Sequence, residues 1–488
     1  MQAAGFAVVA TWLVVRSLRG PSEPLPPGPP KRLIVGNITY MDPEKGWETY
    51  HQWSKDLDSD LVALTGLGKT IVITNSFAST KAVLERQSAA DRPQLTSMNE
   101  LVGWKNSLIF APFDAAWKRQ RRHFHQGIGT RSTLVRYDRM KETVAAKFVH
   151  DLMEEPEKLE EHCHIFAGDL ILRITYGYNS KGYDPMIKMA EEVTNAASDF
   201  AAPGKWLVDA LPFLQYIPDW FPGTGWKQVV KVQHDNLRRL IETPYKWIQR
   251  EMDQGRAGPS FASLLLSEKD LSPHDLFSIK WSSATMFAGG AHTLMCLHPE
   301  VQDRAQAEID KVVGSDRLPL VSDMDACPYV WACCLEALRW HVVLPLAVPH
   351  STTEDMFHDG YLIPKGSIVL SNLWAISRDE NEYPEPNTYN PERFLGENPQ
   401  RNPQDWVFGF GRRACPGRLM ALESIFIVCA TTLATMRISQ KIGRDGIPMP
   451  IDTAQTAGLA SHPMLFEYEI KPRSEHARSL VSDAVLSQ

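Results

Sequence analysis

The sequence predicts a mainly α-helical chain with small β-sheets, on three observations. From Ala115 to about Val313 the apolar residues recur at helical spacing, broken only by loops at Pro203, Pro212–Pro222 and Gly255–Pro259. Strand-like runs occur in short pairs. No Gly/Ser-rich linker, charge block or internal repeat divides the 488 residues.

The elements follow in chain order. Met1–Val15 carries no charge, and Arg16 and Arg19 come after it. Fifteen residues give roughly 22 Å of helix, short of the ~20 apolar residues a full span needs, but snorkelling arginines and local thinning can close that gap. A cleaved signal peptide would carry its positive charge before the apolar run. Residues 1–19 are therefore expected to be a membrane anchor, with the body on the cytosolic side by the positive-inside bias. Residues 20–30, with Pro24-Leu-Pro-Pro-Gly-Pro-Pro30, are expected to be a stiff proline-rich hinge that lifts the remainder off the membrane.

Leu61–Thr65 and Thr70–Thr74, split by Gly66-Leu-Gly68, predict a hairpin. Val330–His341 reads as a helix with Glu336 and Arg339 three apart on one face. Tyr361–Pro364 and Ser367–Leu370, joined by Lys365-Gly366, predict a second small sheet. From Asp379 a Pro- and Asn-rich loop of about 30 residues leads into a cysteine loop, and so long a loop usually has a function.

That loop is Phe408-Gly-Phe-Gly-Arg-Arg-Ala-Cys-Pro-Gly417, followed by a helical run. Glycines let backbone pass close to a flat group. Backbone N–H groups, the helix start, Arg412 and Arg413 are expected to favour a deprotonated Cys415. The spacing Phe408-x-x-Gly411-x-Arg413-x-Cys415-x-Gly417 resembles the haem-binding signature of the cytochromes P450, and the resemblance runs from the proline hinge to about Pro472.

The resemblance implies the P450 fold, a helix array around a buried haem b (iron protoporphyrin IX) with Cys415 as the axial metal ligand. A thiolate in that place pushes electron density onto the iron and favours O–O cleavage. It implies propionate partners at Trp117, Arg121, His350 and Arg413, and a structural network of Glu336, Arg339 and Arg393, the last within Pro391-Glu-Arg-Phe394. Lys118, Arg119, Arg122 and Arg412 would face an acidic redox partner.

Met286-Phe-Ala-Gly-Gly-Ala-His-Thr293 resembles the family's oxygen-binding segment, with Gly290 in the glycine break, Thr293 as the alcohol and His292 where an Asp or Glu is expected. Histidine can shuttle protons at neutral pH. Before His298-Pro-Glu300 the chain is about ten residues shorter than the family pattern, roughly 15 Å of helix. A natural shortening and a sequence lacking a spliced stretch both remain open.

Segments implied to close a substrate pocket are Met98–Phe113, Phe200–Trp226, Ala284–Ala291, Val343–Pro349 and Ala457–His462. Their apolar residues, among them Leu101, Val102, Trp104, Ile109, Phe110, Leu346, Ala347 and Leu459, favour a lipophilic, uncharged substrate. Ile171-Leu-Arg-Ile-Thr-Tyr-Gly177 and Tyr216-Ile-Pro-Asp-Trp-Phe-Pro222 look like the fungal, O-methylsterigmatocystin oxidoreductase-like branch, which implies secondary metabolism or xenobiotic oxidation.

Composition adds exclusions. A net charge of −7 with scattered signs argues against nucleic-acid binding. Seven cysteines in an irregular set fit a reducing compartment. The expected organisation is an anchor (1–19), a hinge (20–30), one haem-thiolate monooxygenase domain (31–474) and a polar C-terminal tail (475–488). The expected activity is oxidation of a lipophilic molecule with O2 and electrons from an NADPH–cytochrome P450 reductase, with cytochrome b5 as a second donor, at the endoplasmic reticulum membrane facing the cytosol. The alternatives are a reductase-independent isomerase or dehydratase, and a chain that binds haem but is catalytically impaired.

Overall fold

A computed structural model describes residues 23–486, leaving out 34, 43, 67, 202–204, 286–297 and 465. The anchor, 1–19, lies outside the described residues. So do Gly290, His292 and Thr293. The described chain separates into two compact units. The first comprises Met1–Pro93, Pro345–Ile376 and Phe410–Arg413. The second comprises Gln94–Leu344, Ser377–Gly409 and Ala414–Gln488.

The first unit is built on a four-stranded sheet. Strand β1 (Leu61–Gly66) pairs antiparallel with β2 (Lys69–Thr74), Leu61 facing Thr74, which is the hairpin expected from the sequence. Strand β3 is His350–Ser351. Strands β4 (Met356–His358) and β5 (Tyr361–Ile363) form a separate hairpin. Strand β6 (Ile368–Ser371) was expected to pair with β5. Instead it runs parallel to β2 and antiparallel to β3, giving the order β1-β2-β6-β3. Val369 and Leu370 are buried, so this strand gains more beside β2 than in an exposed two-strand ribbon. Tyr50, Val62, Leu64, Ile71, Ile73 and Leu370 form the core.

The proline run is no free spacer. Pro26 is buried, Pro27 O accepts Ala63 N–H at 2.8 Å, and Pro24 O accepts Leu362 N–H at 2.8 Å. A Cβ on Gly28 would lie 2.0 Å from Ala63 O, so only glycine permits this approach.

The second unit is helical, with one small sheet of β7 (Met436–Gln440) and β8 (Tyr468–Pro472). Three helices position the site. The basic helix Ala115–Ile128 starts at Asp114, whose side chain accepts the Trp117 N–H at 2.8 Å, a normal N-cap. The helix Pro328–Trp340 carries Glu336 and Arg339. The apolar helix Arg418–Thr435 follows the cysteine loop and is mostly buried. It is long and apolar enough to cross a membrane, yet it serves as a core element. Phe426, Ala430 and Leu433 from it pack with Val301, Ile309, Val330 and Tyr389.

The expected polar tail is a docked helix, Glu475–Leu486. Val481 is fully buried in a cluster with Phe148, Leu152 and Ile438. Its apolar positions recur at helical spacing within a polar stretch, and that face decides its fate over its mean polarity.

Candidate functional site

The cysteine loop is approached through a hydrogen-bonded corner. Trp406 is fully buried, and its Nε1–H donates to the Tyr383 hydroxyl at 2.9 Å, which donates to Arg401 O at 2.9 Å. Beyond it Cys415 N–H donates to Phe408 O at 2.8 Å, closing the loop on itself. In the first unit Gly411 stands at φ +55, where a Cβ would meet Leu84 O at 2.8 Å. Gly417 precedes the helix Arg418–Thr435 as its cap.

Cys415 is accessible to solvent. Burial nevertheless raises its thiol pKa. A hydrogen bond from the Gly417 backbone and the charges of Arg121 and Arg418 oppose that rise. The two facts agree if the sulfur surface is open while dense protein surrounds it at longer range. The charges of Arg121 and Arg418 act on Cys415 in this structure, and burial outweighs them. A coordinated metal ion would deprotonate it outright.

In the basic helix, burial lowers the Arg121 pKa and the charge of Cys415 counters it. Its guanidinium lies 5.9 Å from the centre of the Trp117 ring. The Trp117 Nε1–H donates to Leu108 O at 3.1 Å. That is the one donor an indole has, and the ring packs near the Arg121 guanidinium. Arg119 pairs with Asp275 at 3.4 Å, while Lys118 and Arg122 are exposed.

The first unit gathers His350, Arg413 and a residue that the sequence reading missed, Arg92. All three are buried. Arg92 Nη1 donates to Val348 O and Pro349 O, both at 2.8 Å. Arg413 Nε donates to Ala90 O at 2.7 Å. Burial and the Arg413 charge lower the Arg92 pKa, and Asp91 offsets part of this. Burial, then Arg92, hold His350 well below its ordinary pKa. Its Nδ1 is 2.7 Å from Ala89 O. A carbonyl only accepts, so Nδ1 carries the proton and Nε2 of the neutral ring is an acceptor. The one sequence signal for Arg92 is a basic residue within Asp91-Arg-Pro93, too common to single out.

Glu336, Arg339 and Arg393 are brought together in the second unit. Arg339 Nε and Nη2 donate to Glu336 Oε2 and Oε1 at 2.6 and 2.7 Å. Arg393 Nε donates to Glu336 Oε1 at 3.2 Å. The remaining arginine donors take the carbonyls of Ser377, Pro386, Glu385 and Thr388 at 2.7–2.9 Å. Arg378, also missed, lies close enough for Arg339 to add to the burial that depresses its pKa to about 10.

Of the pocket segments, Ala457–His462 is tied to Val343 by Ser461 N–H at 2.8 Å. Val102, Trp104 and Phe110 are buried, and Leu101, Ile109 and Leu459 are half-buried.

These residues fit a haem on two counts. An accessible thiol stands at a helix start with cations nearby, and buried like charges in the first unit are eased by an anion such as a propionate. A family model described as Cytochrome P450 matches residues 26–469. The chain is 38% identical over 496 residues to Cytochrome P450 monooxygenase 208 of Postia placenta, covering 98% of this chain and 96% of that one. It is 34% identical over 474 residues to Cytochrome P450 monooxygenase claR of Ampulloclitocybe clavipes (94% and 88% covered) and 33% over 480 to Cytochrome P450 monooxygenase ppsD of Aspergillus oryzae (94% and 90%). The first alignment is longer than the stretch of this chain that it covers, so that relative carries residues without a counterpart here.

Proposed function

The chain belongs to the cytochrome P450 family and is an oxidoreductase of the monooxygenase kind; on that premise we propose that it oxidises a lipophilic small molecule, with electrons from an NADPH-dependent reductase. One oxygen atom would enter the product and the other leave as water. The setting of Cys415 carries this reading: an open sulfur at the start of a buried helix, served by the Gly417 N–H and the Arg121 and Arg418 charges.

A haem bound through Cys415 supplies the redox chemistry. Around it the chain's own groups hold and orient. Arg121, Arg413 and Arg92 are the proposed cationic partners of the propionates. His350 can donate to a carboxylate only after Nε2 gains a proton, which the carboxylate's charge promotes. The Glu336–Arg339–Arg393 network holds the long loop that leads to Cys415. Proton handling by Thr293 and His292, beside Gly290, is proposed on the sequence resemblance alone. The exposed Lys118 and Arg122 support docking of an acidic reductase surface. The uncharged Met1–Val15 followed by Arg16 and Arg19 supports anchoring at the endoplasmic reticulum. Relatives named as fungal monooxygenases support a role in secondary metabolism.

The test is Cys415→Ser in the full chain. Wild type is expected to co-purify with haem and to give the long-wavelength Soret band of a reduced, carbon monoxide-treated thiolate haem, and the variant to lose both. A variant that kept that band and its activity would sink the proposal. A second reading, isomerisation or dehydration without reductase, is favoured by His292 in the place of an acid; product formed without NADPH supports it.

A further inference from the structure

A lysine with no exposed surface stands against the helix that follows Cys415. Lys141 lies in the helix Asp138–Glu154, and its Nζ donates to Glu423 Oε2. Glu423 is the one carboxylate in the helix Arg418–Thr435, and its side chain is buried too. Asp138 Oδ1 is 2.7 Å from the same Nζ but lacks hydrogen-bond geometry. Arg131, an arginine exposed to solvent, brings its Nε to 3.9 Å from Glu423 Oε1. Burying a charge is costly unless it is paired and hydrogen-bonded. Lys141 therefore depends on Glu423, across 282 residues of sequence.

The pair supplies direction where apolar packing supplies none. Met420 of this helix clusters with Ile128, Leu134 and Tyr137, while Phe426, Ala430 and Leu433 cluster with Val330 and Tyr389. Such burial is non-directional and tolerates small slides. Ser424, Thr432 and Thr435 turn their hydroxyls onto carbonyls of their own helix at 2.7 Å, which fixes nothing outside it. A charge-assisted hydrogen bond is short and directional. Glu423 sits in the second turn, close to the end that carries the Gly417 cap and Cys415. Lys141 is closed to solvent, so its role is separate from any docking surface.

We propose that Lys141 is a positioning residue for Cys415: through Glu423 it fixes the slide and rotation of the helix start, and so holds the sulfur in place as a metal ligand. The inference rests on the P450 reading above and adds a residue that the sequence did not single out.

The experiment uses the full haem-loaded chain with two readouts. One is the rate at which the long-wavelength Soret band of the reduced, carbon monoxide-treated chain gives way to the shorter-wavelength band of a protonated thiol. The other is the iron–sulfur stretch of the oxidised chain, read by resonance Raman. Losing a charge-assisted hydrogen bond corresponds to about tenfold or more in an equilibrium. Lys141→Met is therefore expected to speed the band loss by about that factor and to shift the stretch. Lys141→Arg keeps the bond and should stay within about twofold of wild type. Lys141→Met combined with Glu423→Leu removes both charges, so its resistance to urea should recover. Its band loss should stay at least about threefold faster than wild type, because the directional bond is still missing. Positioning and stability then come apart. Band-loss rates that follow urea stability alone across these variants mark a merely structural pair and overturn the proposal. So does a Lys141→Met chain with the wild-type rate and stretch. If Lys141→Met loads no haem, Glu423→Asp carries the test, since it keeps the charge but withdraws it by one methylene, and wild-type behaviour there overturns the proposal. A wild-type chain without the long-wavelength band overturns the haem reading itself, and the positioning role with it.

Discussion

Arg339 closes on Glu336 at both carboxylate oxygens, 2.6 and 2.7 Å away, with neither side chain exposed to solvent. Arg393 adds a third bond to the same carboxylate, and Asn390 N–H a fourth at 2.9 Å. One anion therefore anchors a helix to a segment more than 50 residues later. Carbonyls between Ser377 and Thr388 absorb the surplus donors. This arrangement fixes the course of a loop that lacks long helices or strands, and the loop delivers Cys415.

Removing that anion should be worse than removing either arginine. Glu336→Ala leaves Arg339, Arg393 and Arg378 facing one another in a buried site. Breaking one partner of a buried pair costs about 3–5 kcal/mol. Urea unfolding of the full chain should show a loss of that order for Glu336→Ala and a smaller one for Arg393→Ala, with haem content falling in parallel. Equal stability of Glu336→Ala and wild type would show the network to be dispensable.

Arg92 controls its neighbour by charge. It lowers the pKa of His350, second only to burial. Arg92→Gln should therefore raise the His350 pKa toward the ordinary ~6.5, while Arg92→Lys keeps it low. Histidine-selective NMR titration reads this directly. The same variant loses charge-assisted bonds to Val348 and Pro349, each contributing about 1.5–3 kcal/mol. A His350 titration unmoved by Arg92→Gln contradicts the assignment.

The C-terminal helix tests packing where composition misled. Val481 has no exposure, and Arg478 pairs with Glu154 at 3.3 Å. Val481→Ala should lower stability by about 1–3 kcal/mol, since it opens a small cavity. Ending the chain at Ser474 should cost more and expose Phe148 and Leu152 to hydrophobic dyes. A shortened chain with an unchanged melting temperature would return this segment to the status of a tail.

What the sequence revealed here followed local rules. The β1–β2 hairpin has alternating residues around a Gly-x-Gly break, and the helix bearing Glu336 and Arg339 has clear periodicity. Cys415 stands in a spaced motif. What it hid depended on distant partners. Strand β6 looks as though it should pair with β5, yet its neighbour β2 lies nearly 300 residues earlier. Trp117 stands in a spaced basic motif, and nothing in that motif announces that its indole donor meets Leu108 O. Arg92 carries no motif, because its meaning comes from burial and from segments far apart in sequence. The proline run looks like a spacer until Gly28 is seen against Ala63.

Acid should weaken the fold over a definable range. Burial pushes the His123 pKa down to about 4, and His341 and His350 are depressed in the same direction. Above the unfolded value of ~6.5 both states hold His123 neutral, and its contribution is complete. As the pH falls below ~6.5 the unfolded chain takes up a proton that the folded chain refuses, so stability declines. Below about 4 both states are protonated and the contribution is gone. One such proton changes unfolding free energy by ~1.4 kcal/mol per pH unit within that window. His123→Gln should therefore flatten the dependence of unfolding free energy on pH between about 6.5 and 4 by up to that slope, leaving the histidine-independent part intact. Denaturant titrations at half-unit pH steps measure it. Parallel curves for variant and wild type would mean that His123 titrates alike in both states, and that the ring beside Ser282 is open to protonation in the folded protein.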